Sequence, residues 1–314
     1  MIRGLNIPVL IIFGPTASGK TSLASSLFSS DNPTAPFSAQ AEIISADSMQ
    51  VYRGMDIGTA KPSPSFLEHL PHHLLDIRDP SEQFCAGDFV RLADNACKDI
   101  HSRGKLPVIL GGTAFYVKNF LYGLPVTPES DPEVRRFYIE RMKHDGAAVL
   151  FRELEAVDRE SAGRINIHDE YRIIRALEVF SASGQPLSSF NLSNTQRDGY
   201  RFLVLALDRS REVLYERINR RVEEMFSDGL SDEVQTLIAK GYTAPDPGMQ
   251  AIGYREFFSS ESGNMADILA QIQLDSRKYA KRQETFIRSI PDIYHFDADD
   301  RTGITETVRG FFGT

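Results

Sequence analysis

The run Gly14-Pro15-Thr16-Ala17-Ser18-Gly19-Lys20-Thr21 sets two glycines, a lysine and a hydroxyl at the spacing that grips polyphosphate. In such a loop the backbone N–H groups and the N-terminus of the next helix point at phosphate oxygens. The lysine adds a point charge, and the last hydroxyl ligates magnesium. A di- or triphosphate is the expected ligand, with Mg2+ as cofactor at Thr21. The loop alone does not say whether a phosphoryl group moves.

Other chemistry-bearing residues stand at the ends of apolar runs. Ser45-Ala46-Asp47-Ser48-Met49-Gln50 puts a carboxylate and an amide where a strand should end, the edge at which open α/β sheets bind ligands. Asp47 fits a magnesium ligand, a general base or a helix cap, and the residues alone leave all three open. A later run ends in Gly111-Gly112-Thr113, where many phosphoryl-transferring P-loop enzymes place an acid that holds the metal. That departure tells against an ordinary ATPase, and Thr113 offers only a neutral hydroxyl. Asp208, after Leu203 to Leu207, is either the missing acid or a helix cap. Arg217 and Arg221 lie one turn apart on the next helical stretch, where a planar, permanently charged group would suit a leaving diphosphate. The pair His72-His73 lacks a third ligand and reads as structural.

These residues need a frame. Val9 to Phe13, Glu42 to Ala46 and Leu106 to Leu110 are short apolar runs spaced for crossover helices, the pattern of a parallel sheet. Between the last two, Asp88 to Ser102 has the apolar spacing of an amphipathic helix. From Pro125 to Tyr200 the chain turns charged and helix-forming, closing in a polar stretch from Ser188 to Gly199, and sheet sequence resumes at Phe202. The expected architecture is α/β: a P-loop NTPase-like parallel sheet core flanked by helices, with residues 1–124 and 201–314 forming the core and 125–200 an inserted helical domain. Met265 to Ile290 reads as a helix with Ile268, Ile272, Tyr279, Phe286 and Ile290 on one face and Arg277, Lys281 and Arg288 opposite.

Composition narrows the classes. With 41% hydrophobic residues in 314, a globular core is affordable, and two cysteines exclude a disulfide scaffold. A net charge of −8 argues against indiscriminate nucleic-acid binding but not against a local basic face. Met1 to Asn6 run directly into the first strand, leaving no room for a cleavable signal, and no apolar run reaches membrane-spanning length. A cytoplasmic protein with no membrane partner is expected.

Taken together, the strings resemble the tRNA dimethylallyltransferases, or tRNA isopentenyltransferases, of the bacterial type. They are GPTASGKT from Gly14, ISADSMQVYRGMDIGTAKP from Ile44, PHHLLDI from Pro71, GGTAFY from Gly111, RIIRALEVF from Arg172, QAIGYREF from Gln250 and RKYAKRQETFIR from Arg277. The resemblance implies transfer of a dimethylallyl group from dimethylallyl diphosphate to the exocyclic amine of the adenosine 3′ of the anticodon in tRNA, by a monomer. The residues from Gly14 to Thr21 would then hold a leaving diphosphate, which explains the absent acid. Asp47 is implied as the base, Thr113 as a hydroxyl at the reacting region, and Arg221 as a stabiliser of departing charge. RNA contact is implied for Asp47, Ser48, Met49, Gln50, Thr113 and Arg135. It is also implied for Tyr171, Arg172, Ile173, Ile174 and Arg175, and for Gln250, Ala251, Ile252, Gly253, Tyr254 and Arg255. The last implied group is Lys281, Arg282, Gln283, Glu284, Thr285, Phe286, Ile287 and Arg288. Ala114 stands where the family commonly has Gly, and Phe286 where it has Trp. The alternatives are a P-loop small-molecule kinase, which would turn over ATP and ignore tRNA, and a non-catalytic RNA-binding module.

Overall fold

A computed structural model describes residues 6–190, 195–260 and 263–312. The first five residues and the middle of the polar stretch after Ser188, residues 191–194, lie outside the described residues. The chain divides into two compact units, Met1–Leu121 with Arg197–Thr314, and Tyr122–Gln196.

The first unit is built on β1 (Ile7–Phe13), α1 (Lys20–Phe28), β2 (Ala41–Ala46), α2 (Pro64–His69), β3 (His72–His73), α3 (Ala86–Ser102), β4 (Leu106–Gly111) and α4 (Ala114–Tyr122). The sheet's strands run in the order β3-β2-β4-β1-β5-β6, all parallel. Central β1, Ile-Pro-Val-Leu-Ile-Ile-Phe, is buried almost throughout, as a parallel strand covered on both faces must be. Register positions the site: Phe13 pairs with Gly111 and Gly111 with Ala46. The next residues, Gly14, Gly112 and Asp47, therefore emerge side by side at one edge.

The second unit contains α5 (Pro132–Asp145), α6 (Ala147–Val157), α7 (Arg159–Ala162) and α8 (Glu170–Ser183). Its core gathers Met142, Leu150, Leu154, Ile173, Ala176 and Leu177. Buried Glu178 is paired with Arg135 at 3.4 Å and Arg175 at 3.2 Å, which answers the cost of an isolated buried carboxylate.

After it the first unit resumes with β5 (Tyr200–Asp208), α9 (Arg211–Ser227), α10 (Leu230–Ala239), α11 (Arg255–Ser259), α12 (Met265–Ile287), β6 (Tyr294–Asp297) and α13 (Arg301–Phe312). The structural reading of His72-His73 holds, and the reading of Asp208 changes. His72-His73 forms a short edge strand: His73 Nε2 meets Glu42 at 2.8 Å and His72 Nδ1 meets the Leu70 carbonyl at 2.7 Å, so both rings serve the sheet. Asp208 is not the helix cap. It bonds His295 on β6 at 2.8 Å, and Ser210 occupies the cap of α9.

Candidate active site

Glycine at 19 follows from geometry, since the residue that opens α1 sits at φ 106°, a conformation side chains rarely adopt. With no capping side chain there, the first-turn N–H groups of α1 are left for an anion. The loop before it is held by cations donating to its carbonyls. Lys20 Nζ bonds the Gly14 and Pro15 oxygens at 2.9 and 2.8 Å, Arg217 bonds Ala17 O at 2.8 Å, and Arg209 bonds Ser18 O at 3.2 Å. Arg209 is itself anchored to Asp299.

Lys20 and Arg217 line a cavity of about 600 Å³ within the first unit, together with Asp47, Arg221, Tyr279 and Gln283. Burial pushes Lys20 down to about 7, with Arg221 adding to the fall and Asp47 opposing it. Burial also lowers Arg221 and Arg217. No carboxylate lies within ion-pair distance of Lys20, Arg217 or Arg221 among the described residues, so the cavity is a cationic pocket awaiting an anion. Tyr279 reaches about 12, chiefly by burial and then by the charge of Asp47.

Asp47 caps a turn rather than a helix. Its Oδ1 accepts from the Met49 and Gln50 N–H groups at 2.8 and 3.3 Å, which fixes the turn, while Oδ2 has no hydrogen-bond partner among the described residues. Thr113 supports the same turn: its Oγ1 accepts from Ser48 N at 3.1 Å, and its own N–H donates to Ala46 O. A carboxylate oxygen in a cationic cleft, oriented by backbone and free on one side, can take a proton from a bound nucleophile.

The cavity brings together Thr16, Ala17, Gly19, Lys20 and Thr21 with Asp47, Ser48, Met49 and Gln50, and adds Gln250, Ala251, Ile252, Gly253, Arg255, Arg221 and Arg282. Several side chains assigned to RNA by resemblance turn elsewhere. Ile173 and Ile174 belong to the helical core, and Tyr254 and Ile287 are buried in the first unit. The Gln50 amide is spent inside the protein, on Ser45 Oγ and the Thr59 and Ala60 carbonyls. Arg175 holds Thr127 and Pro128, and Arg255 pairs with Asp275 and Glu256. Tyr171, Arg172, Lys281, Arg282, Thr285 and Arg288 are exposed. Arg135 lies over the Tyr171 ring at 4.9 Å, and Phe286 lies beneath Lys118 at 5.7 Å.

Sequence reasoning missed Glu233 on α10. Its carboxylate gathers the N–H groups of Asp56, Ile57 and Gly58 at 2.9, 2.8 and 3.2 Å, and the Tyr254 hydroxyl at 2.6 Å. That knot holds the loop whose carbonyls hold Gln50. No local pattern marks a glutamate whose backbone partners are 175–177 residues away.

Fold and site together define a P-loop α/β protein in which the phosphate loop faces a carboxylate just after β2 and no acid just after β4. The sequence model of the IPP transferase family matches residues 50–290. The tRNA dimethylallyltransferase 1 of Syntrophotalea carbinolica is 42% identical over 93% of this chain and 91% of its own length, and the tRNA dimethylallyltransferase of Geobacillus kaustophilus is 41% identical over 93% and 91%. Among solved structures, the full-length tRNA isopentenylpyrophosphate transferase of Bacillus halodurans superposes with a TM-score of 0.68 at 34% identity, covering 98% of this chain and 97% of its own. A eukaryotic dimethylallyltransferase solved acting on tRNA gives 0.77 at 28% identity, over 96% and 77%. The chain belongs to the tRNA dimethylallyltransferase family, prenyl-transferring enzymes. The kinase alternative is not favoured. Among the described residues no helix is long and apolar enough to cross a membrane.

Proposed function

We propose that the protein transfers the dimethylallyl group of dimethylallyl diphosphate to the exocyclic amine of the adenosine 3′ of the anticodon in tRNA, releasing diphosphate, as a cytoplasmic monomer. The observation that carries this reading is one cavity lined by Lys20, Arg217 and Arg221, which have no counter-ions among the described residues, beside the half-free carboxylate of Asp47. The phosphate loop and Lys20 grip the diphosphate, and Arg221 meets the charge that grows as the bond from the allyl carbon to oxygen breaks. Such preorganised charge is commonly the largest single catalytic contribution. The amine nitrogen forms the new bond to that carbon, and Asp47 takes the proton it sheds. Thr113 holds the turn from which Asp47 acts.

The residues present fit magnesium. Thr21 is exposed at the first turn of α1, and no cluster of three His, Cys, Asp or Glu suited to a metal exists among the described residues. The cation would take Thr21 and otherwise phosphate and water oxygens, its usual preference, and it supplies charge neutralisation on the diphosphate. Exposed Tyr171, Arg172, Lys281, Arg282 and Arg288 would hold the RNA backbone and loop bases, while the target base is turned out of its stack.

The test is incubation with magnesium, unmodified tRNA and labelled dimethylallyl diphosphate or labelled ATP, followed by nucleoside analysis. Allyl label on adenosine supports the transferase. ATP consumption with a small hydroxyl acceptor, and no label in RNA, would replace it with the kinase.

A further inference from the structure

Resemblance assigned Gln283 to the RNA, yet its side chain is only 5% exposed and both ends of its amide are committed inside the protein. Its Oε1 accepts from the Thr16 N–H of the phosphate loop at 2.9 Å, and its Nε2 donates to the Gly112 carbonyl at 2.7 Å. The partners, one donor and one acceptor, leave a single orientation of the amide. Gly112 leaves no space for a side chain of its own, because a Cβ there would run into the Gln283 amide.

The chain of contacts continues. Beyond Gly112, Thr113 receives the Ser48 N–H at 3.1 Å, and one residue earlier Asp47 closes its turn on Met49 N at 2.8 Å. A path of hydrogen bonds and single backbone steps thus runs from the loop that would hold the leaving group, through one side chain of α12, to the turn that carries the base. Buried Ala280 and Ile287 anchor that stretch of helix on either side.

We propose that Gln283 is a positioning residue that sets the separation between the diphosphate loop and the Asp47 turn, and so the in-line placement of the amine behind the allyl carbon. This rests on the transferase reading. Alignment of that kind is steep in its effect, with about 1 Å of misplacement costing roughly a hundredfold. When it loosens, water competes with the amine: water oxygen bonds the allyl carbon, diphosphate leaves, a proton passes to solvent, and the product is an allylic alcohol.

The experiment compares wild type with Gln283→Met, which keeps length without polar ends, and Gln283→Glu, which keeps the acceptor for Thr16 and loses the donor to Gly112. With unmodified tRNA and labelled dimethylallyl diphosphate, prenylated RNA and free alcohol are counted per diphosphate released. That ratio does not depend on how much protein is folded. Gln283→Met should lower kcat roughly 10- to 100-fold and raise the alcohol share at least about fivefold, while the Kd for inorganic diphosphate stays within about threefold; Gln283→Glu should fall between. A product ratio equal to wild type in both variants, whatever the rate, overturns the proposal. A wild-type protein that prenylates no RNA removes the functional reading and this inference with it, and is distinguished by failing before any variant is made.

Discussion

The two ends of strand β2 carry opposite electrostatic designs. At its amino end Glu42, buried, is ringed by Arg103, Lys105 at 2.9 Å and His73 at 2.8 Å, and the Arg103 guanidinium above all holds its carboxyl well below the usual range. At its carboxyl end Asp47 looks into a cavity where Lys20, Arg217 and Arg221 have no carboxylate in contact among the described residues, and burial drags each cation down. One end has its charges satisfied within the protein; the other keeps them unsatisfied until a ligand arrives. The first arrangement stabilises the sheet, and the second stores a demand for anions.

The comparison breaks most sharply at Asp47. Asp47→Asn keeps an oxygen for the Met49 and Gln50 N–H groups and removes only the basic one. Turnover should fall about a hundred- to ten-thousand-fold, with RNA affinity and melting temperature close to wild type. Loss of RNA binding with normal turnover of bound substrate would move Asp47 from base to contact residue.

Lys20→Met should sharpen the contrast from the cation's side. Replacing a buried ammonium without a counter-ion relieves desolvation, so the empty protein should melt no lower than wild type, while inorganic diphosphate binding measured by calorimetry falls at least about tenfold. A large drop in melting temperature would show that the two carbonyl contacts outweigh the charge.

At the opposite end Glu42→Gln should do the reverse, costing about 1–3 kcal/mol of stability and leaving kcat unchanged at temperatures where the variant is folded. The folded carboxyl is depressed, so its contribution is whole above the unfolded value of about 4.3 and drains away as pH falls toward the folded one. Urea titrations should therefore show a wide gap between the two proteins at pH 6 that narrows below about pH 4. A gap independent of pH would mean that packing, not charge, makes the difference.

The upper edge was legible because its signal is local. The apolar run before Gly14, the glycine spacing and the strand ends at Asp47 and Gly111 each sit within a few residues of one another. The lower edge was not. β3 is two residues long and has no period to read, and Glu42 looks like a polar break in a strand until Arg103 and Lys105 fold over it. Gln283 and Glu233 fail for the same reason, because their backbone partners lie 171 to 267 and 175 to 177 residues away. The helix of α12 was expected with Tyr279 and Phe286 on its apolar face and Gln283 among the RNA contacts. Instead Tyr279 lines the cavity and Gln283 takes the buried position, since a buried amide with two partners costs little to enclose.

The smallest expected effect lies on the outer side of that same helix and tests whether unpaired cations mean the same thing outside the cavity as within it. Lys281 is exposed and has no carboxylate within ion-pair distance among the described residues, so water already solvates it and no strain is stored there. If it meets an RNA phosphate, Lys281→Ala should weaken tRNA binding only a few-fold. It should also reduce the slope of log affinity against log salt by about one contact's worth, with melting temperature and diphosphate affinity untouched. Filter binding at several salt concentrations reads both quantities. An unchanged slope would make Lys281 an ordinary solvated charge, leaving the cavity's cations as the ones whose lack of partners has a use.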